Sequence, residues 1–290
     1  MNTLRIDRDA DGVVTLRLDS NPEKPRGGVV VLDSWLIEQL RRSLEAILAA
    51  EPPSGFILES ASDRVFVAGA DLAEIDALDD RQLHEYLRAG SRAFALIRSL
   101  PCPSAAIVHK AALGGGLEVA MHCDAIVGVM PAAGEKPWRL GLVEAGVGLC
   151  PGWGGTQMLP ARIDPAIAIR ATASGETWEA PNAPRGLFES TAPSRDAART
   201  TVLEWIAAQR TRPRRTMPVI DRSNAALVGA ALAAVRSSLP ATESAAAVAE
   251  CVDAGVRSGW DAALERERAN LVRLRHTPAA REKLAAFLKR

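Results

Sequence analysis

Leu113-Gly114-Gly115-Gly116-Leu117-Glu118-Val119-Ala120 is the stretch whose reading decides the fold. Three consecutive glycines cost backbone entropy, so a sequence keeps them where the chain must bend or approach something closely. They open a helix, expected to run on through Glu118–Cys123. The first N–H groups of a helix have no internal partner and lie at its positive end, which makes a ready site for negative charge. Glu118 falls in the first turn, where a carboxylate also suits the helix dipole, so by itself it does not decide between structure and function. Outward from this point, Ala105-Ala106-Ile107-Val108 reads as a compact strand before the triplet, and Ala125-Ile126-Val127-Gly128-Val129 as a short strand after it.

Further toward the N-terminus, Val14, Leu16 and Leu18 alternate with Thr15 and Arg17, the pattern of a half-buried strand. Asn21 to Gly28 is a loop by its prolines and glycines. Asp33 or Ser34 can cap a helix carrying Leu36, Leu40, Leu44, Ile47 and Leu48, which Pro52-Pro53 closes. Gly55–Glu59 and Val65–Val67 read as short buried strands, and 80–99 as an amphipathic helix with Leu83, Leu87, Phe94 and Ile97 on its apolar side. Strands thus alternate with helices to about residue 200, which argues an α/β fold. Beyond it, 195–209, 223–236, 241–275 and 278–289 are rich in Ala, Leu, Glu and Arg and read as helices. The expected division is a core over residues 1–209 and a helical, oligomerising region over 210–290. The basic run Arg210-Thr211-Arg212-Pro213-Arg214-Arg215 marks the boundary, as a solvated linker or a phosphate contact.

Composition removes several classes of function. The chain has 290 residues, 48% hydrophobic and 24% charged, values of a globular protein with ample core. Lys plus Arg and Asp plus Glu are each 35, so no overall charge draws it to nucleic acid or to an anionic membrane. The apolar run Ala225–Val235 is too short for a bilayer, which needs roughly 20 residues. The start of the chain has no apolar signal core, and Cys102, Cys123, Cys150 and Cys251 form no CxxC pair, so a cytoplasmic protein with no metal is expected. Gly114-Gly115-Gly116 and Gly152-Trp153-Gly154-Gly155 do not fit the dinucleotide or P-loop patterns. His84-Glu85 lacks a second histidine four residues on, and no GxSxG elbow occurs.

Two further segments stand out. In Phe66-Val67-Ala68-Gly69-Ala70-Asp71-Leu72 a strand runs into small residues and an acidic helix start, a setting that can leave amides free for a ligand and that also suits a plain tight turn. In Leu140 to Thr156, Glu144 is embedded among apolar residues and glycines, surroundings that raise a carboxyl pKa toward a value useful for proton transfer, though by itself it also reads as a surface-loop glutamate.

Taken in order, these three segments resemble the enoyl-CoA hydratase/isomerase (crotonase) superfamily over about residues 10–190, and more faintly over 240–290. Leu58-Glu59-Ser60 through Leu72, with Pro151-Gly152-Trp153-Gly154-Gly155-Thr156-Gln157 and Leu159-Pro160, looks most like the hydratase part of multifunctional fatty-acid-oxidation proteins. A linked dehydrogenase unit is not expected, since no GxGxxG strand–helix unit fits in the remaining residues. The resemblance implies a crotonase-like α/β spiral of strand-strand-helix repeats with a C-terminal helical region. It implies a substrate bound as an acyl thioester of coenzyme A, with no separate cofactor. The amides of Ala70 and Gly115 would hold the thioester oxygen, where a side chain at Gly115 would crowd the thioester. Glu118 would polarise the water and Glu144 would exchange a proton with C2, a pairing that favours hydration over double-bond isomerisation. A related acyl-CoA lyase and a non-catalytic CoA-ester binder are the alternatives. Ala68, Asp71, Leu72 and Gly114 would line the bound CoA ester, Phe287 and Lys289 would cover a nucleotide, and the helical end would build a homotrimer or hexamer.

Departures from the family pattern are also legible. His109-Lys110 replaces Asn-Gly before the triplet, where a positive φ would strain Lys110. About six extra residues lie within Val129–Arg139, where Trp138 can line an acyl pocket or cap a surface turn. Pro181 and Pro184 break the helix expected near 173–188.

Overall fold

The computed structural model describes residues 4–210 and 217–289. β1 (Arg5–Arg8) and β2 (Val13–Leu18) pair antiparallel, and α1 (Ser34–Ala49) follows. Of the two candidate caps, Asp33 serves: its carboxylate accepts from the Leu36 amide at 2.8 Å. A strand, a second strand and one or more helices then follow three times. The first round is β3 (Gly55–Ser60), β4 (Val65–Val67), α2 (Leu72–Ala77) and α3 (Asp80–Ser99). The second is β5 (Ser104–His109), β6 (Ala111–Leu113) and α4 (Gly115–Met121). The third is β7 (Ala125–Val129), β8 (Arg139–Gly141), a 3-10 turn (Glu144–Val147), α5 (Gly155–Arg162) and α6 (Pro165–Ser174). After β9 (Trp178–Glu179) and β10 (Ser190–Ala192) come α7 (Arg195–Gln209), α8 (Ala225–Val235), α9 (Glu243–Ser258), α10 (Trp260–Leu274) and α11 (Pro278–Leu288).

In each round the first strand enters one sheet and the second strand another. The larger sheet has the order β1-β2-β3-β5-β7-β10 and the smaller β4-β6-β8-β9. This is the spiral of strand-strand-helix repeats that the resemblance implies. All pairings are parallel except β1 with β2 and β8 with β9. Parallel order has a direct consequence. The carboxyl ends of β4, β6 and β8 lie side by side, so the turns that follow them converge on one place.

Several local expectations are corrected. β2 is not half-buried: Val13, Val14, Thr15, Leu16 and Leu18 are all buried. α7 covers the back of the large sheet, with Ala198, Val202 and Ile206 packed on Val13, Ile57, Ala105, Ile107 and Val127. Both faces of the strand are therefore dry, and Thr15 meets the Arg199 guanidinium at 3.0 Å. α4 opens at the glycines, at Gly115, and ends at Met121, two residues short of Cys123. The stretch 241–275 is two helices that meet at Gly259. α9 packs on α5 and α6, and α10 on α3. Leu271, Val272, Leu274, Ala280 and Leu284 share one core cluster with Leu16, Phe56 and Phe94. Of the basic run, Arg210 caps α7, and Thr211 to Arg215 lie outside the described residues.

Lys110 adopts φ +57°, the one positive φ outside glycine among the described residues, so the turn keeps its positive φ with a lysine in place of glycine. Trp138 lines no pocket of the site described below. Its indole donates to the Val129 carbonyl at 2.9 Å and its ring packs edge-on to Phe188. Past α6 the prolines have their effect: β9 and a 3-10 turn at Ala180–Asn182 stand where a longer helix would run. Among the described residues no helix is long and apolar enough to cross a membrane.

Candidate active site

The converging turns enclose a cleft of about 670 Å³. Ala68 to Ala73 form one wall, Gly114 and Glu118 the floor, and Val143, Glu144, Gly146 and Val147 the opposite wall. Leu87, Leu149, Trp153 and Leu271 close the apolar end, with Arg26, Phe287 and Leu288 also on the lining. Of the residues expected from sequence, Ala68, Ala70, Asp71, Leu72, Gly114, Glu118, Glu144 and Phe287 line this one cleft. Gly115 lies one residue behind the lining, and Lys289 is exposed just past α11 and outside it.

Glu118 sits in the first turn of α4 and is 1% exposed. Its Oε1 accepts from the amides of Trp153 and Gly155, each at 2.8 Å. Burial pushes its pKa well up, the charges of Glu144 and Glu267 add to that, and the two amides oppose it. Glu144 opens the 3-10 turn after β8. It is half-buried as a residue, but its Oε2 is fully buried and has no partner among the described residues. Burial raises its pKa to about 7, its own amide opposing and Glu267 adding. Two acids of raised proton affinity therefore face one cleft, close enough for each to feel a common charge.

Gly114 leaves room for the Glu144 carboxylate. It has φ +51°, and a Cβ there would stand 2.4 Å from Glu144 Oε1. Gly115 is corrected in its reason. A Cβ there would meet the Trp153 ring at 2.5 Å and Leu32, so the crowding is against the core beneath the cleft and not against a ligand. The amides of Ala70 and Gly115 donate to no backbone carbonyl among the described residues. The amides of Ala68 and Asp71 do, to Val30 and Leu32, and the Asp71 carbonyl in turn accepts from the Ile75 amide. The Asp71 side chain is committed as well, capping α2 and pairing with the Arg26 guanidinium.

Sequence reasoning missed one acid. Glu267 of α10 is 0% exposed and accepts from the amides of Gly154 and Thr156 at 2.6 and 3.0 Å. Its neighbours Glu265, Arg266 and Arg268 read as a solvated face. The available signal was periodicity: Ala263, Leu264, Glu267, Leu271 and Leu274 share one buried stripe of the helix. Arg26, Leu87 and Leu271 were also unrecognised as lining residues. As for metals, Asp33, Asp71 and Glu74 bring carboxylate oxygens within 4.8 Å of one another. Each already has work in the fold, as helix cap, ion pair or partner of Ser34.

The arrangement is equipped for chemistry at a carbonyl. Among the described residues, the amides of Ala70 on the cleft wall and of Gly115 just behind the lining have no backbone acceptor, the kind of donor an oxyanion takes, and two acids of raised proton affinity line the same cleft. The comparisons agree with this setting. A family model described as enoyl-CoA hydratase/isomerase matches residues 24–237. The fatty acid oxidation complex subunit alpha of Shewanella amazonensis is 29% identical over 286 residues, 95% of this chain. The chain spans 39% of that relative's length. Among solved structures, the enoyl-CoA hydratase from Bacillus halodurans has a TM-score of 0.70 at 18% identity, covering 98% of this chain and 100% of that one. The enoyl-CoA hydratase from Bacillus anthracis has a TM-score of 0.62 at 25% identity, covering 99% and 96%.

Proposed function

The chain belongs to the enoyl-CoA hydratase/isomerase family, and from that premise we propose that it adds water across the C2=C3 bond of an enoyl-CoA thioester. The observation that carries the reading is the pairing of Glu118 and Glu144 on one cleft beside the undonated amides of Ala70 and Gly115. As hydroxide bonds to C3, electron density moves onto the thioester oxygen and the carbonyl becomes enolate-like. Donors aimed at that oxygen favour this state over the ground state. Glu118, its carboxylate fixed by two amides, takes the proton that the water gives up. Glu144, with its pKa near 7, delivers a proton to C2 as the enolate collapses. Exchange between the pair or with solvent then restores the starting state. Isomerisation moves one proton between carbons and needs one acid, so two acids at the cleft favour hydration.

The CoA moiety lies toward Asp71, Leu72 and Phe287 in this reading, and the acyl chain toward Leu87, Leu149 and Leu271. No cofactor beyond the CoA that the substrate carries takes part. A cytoplasmic homotrimer or hexamer completes the proposal, which light scattering tests. The chemical test is steady-state hydration of crotonyl-CoA, followed by loss of the conjugated thioester absorbance. Glu118→Gln and Glu144→Gln are each expected to lower kcat about 100-fold or more. A variant whose kcat stays within a few-fold of the parent removes that residue from the mechanism. Binding without turnover in the parent protein favours the non-catalytic alternative.

A further inference from the structure

Four successive amides at the start of α5 are divided alternately between two buried acids. Trp153 and Gly155 donate to Glu118. Gly154 and Thr156 donate to Glu267, one to each carboxylate oxygen. The Thr156 hydroxyl donates to Glu267 as well, and Gln157 Nε2 donates to that hydroxyl at 2.7 Å. α10 needs only an apolar side chain at this point of its buried stripe, where Leu264 and Leu271 flank the acid one turn either way. A carboxylate there is costly to bury and persists through three donors, two of them amides that would otherwise be orphaned. Nothing in the cleft chemistry uses it, for Glu267 does not line the cleft.

We propose that Glu267 is a positioning residue: it clamps the Trp153–Thr156 turn through Gly154 and Thr156, so that the alternate amides of the same turn hold the Glu118 carboxylate at the cleft wall. The hydratase reading supplies what Glu118 does there; the clamp itself rests on the hydrogen bonds. Glu267 also sets a charge behind the two acids of the cleft. The ionisable groups that face it are Glu118 from α4, Glu144 from the 3-10 turn, the Cys150 thiol and Arg268 beside it on α10. Its charge raises the proton affinity of both Glu118 and Glu144. Removing that charge therefore moves their titration to lower pH.

The test uses two variants of the full chain and no substrate for its first readout. Glutamate carboxyl carbons are followed by NMR against pH, the Glu144 signal being assigned by its loss in Glu144→Gln. In Glu267→Gln the Glu144 midpoint is expected to fall by about half a pH unit or more. Glu267→Asp keeps the charge but falls short of both amides, so its midpoint stays while kcat for crotonyl-CoA drops about tenfold or more at a KM within about threefold. An unmoved midpoint in Glu267→Gln, or full kcat in Glu267→Asp, overturns the proposal. Amide exchange in the unaltered protein provides a third readout that no folding defect can obscure. All four amides from Trp153 to Thr156 are expected to be protected, and free exchange at Gly154 and Thr156 would refute the clamp. Absence of hydration in the unaltered protein would remove the reading of Glu118 while leaving the NMR and exchange outcomes to decide the clamp.

Discussion

Gly114 and Glu144 are within touching distance across the cleft floor, and the glycine has no latitude. Its φ of +51° strains any side chain, and a Cβ would displace the Glu144 carboxylate. Gly114→Ala is expected to cost about 1–2 kcal/mol in stability through the left-handed backbone. It should also displace Glu144 and lower kcat about 10- to 100-fold, as misplacement of a catalytic group does. Urea denaturation and crotonyl-CoA kinetics check the two effects separately. At this scale the sequence was legible where the residue type clashed with its surroundings. Glu144 among glycines and Lys110 at a turn needing positive φ both stood out. Glu267 did not, because Glu265, Arg266 and Arg268 camouflage it, and only the fold shows that its side of α10 faces inward.

α7 shows what an element far from the cleft contributes. It contributes no lining residue, and its buried Ile206, 1% exposed, covers the back of the large sheet above Gly55. Ile206→Ala leaves a cavity there and is expected to lower the unfolding free energy by about 2–5 kcal/mol. Its kcat on crotonyl-CoA should match the parent's at a temperature where both are folded. A fall in kcat would mean that α7 shapes the cleft through the sheet. The bounds of α3 were legible from the apolar positions Leu83, Leu87, Phe94 and Ile97 and the prolines after it, and those of α7 from composition. The burial of β2 on both faces was not. Alternation reveals which residues face one layer, but not that a helix nearly two hundred residues later covers the other.

For the molecule as a whole, three buried acids make folding pH-dependent. Glu118, Glu144 and Glu267 all have pKa values raised by burial above the ordinary 4.5. Between that value and about 7, where Glu144 titrates, the folded protein keeps protons that the unfolded chain has released. Stability from this source is whole below the unfolded value and is lost as pH rises through the folded one. The urea midpoint is therefore expected to fall from about pH 5 to about pH 8, and Glu144→Gln should flatten the slope. A midpoint that rises over this window would contradict burial as the cause that holds the protons on these acids.

The alternation of strands and helices made the α/β class legible over the first two hundred residues. The helices after it were legible as stretches, but not the break of 241–275 at Gly259 nor their merging into the core that holds Leu16, Phe56 and Phe94. The most direct measurement of the central claim is the mass and position of label in the product formed from trans-2-hexenoyl-CoA in D₂O. The account predicts 3-hydroxyhexanoyl-CoA carrying one deuterium at C2, formed far more slowly by Glu144→Gln. Formation of 3-hexenoyl-CoA in place of the hydroxy product, or deuterium at C2 arriving as fast in Glu144→Gln as in the parent, would contradict it.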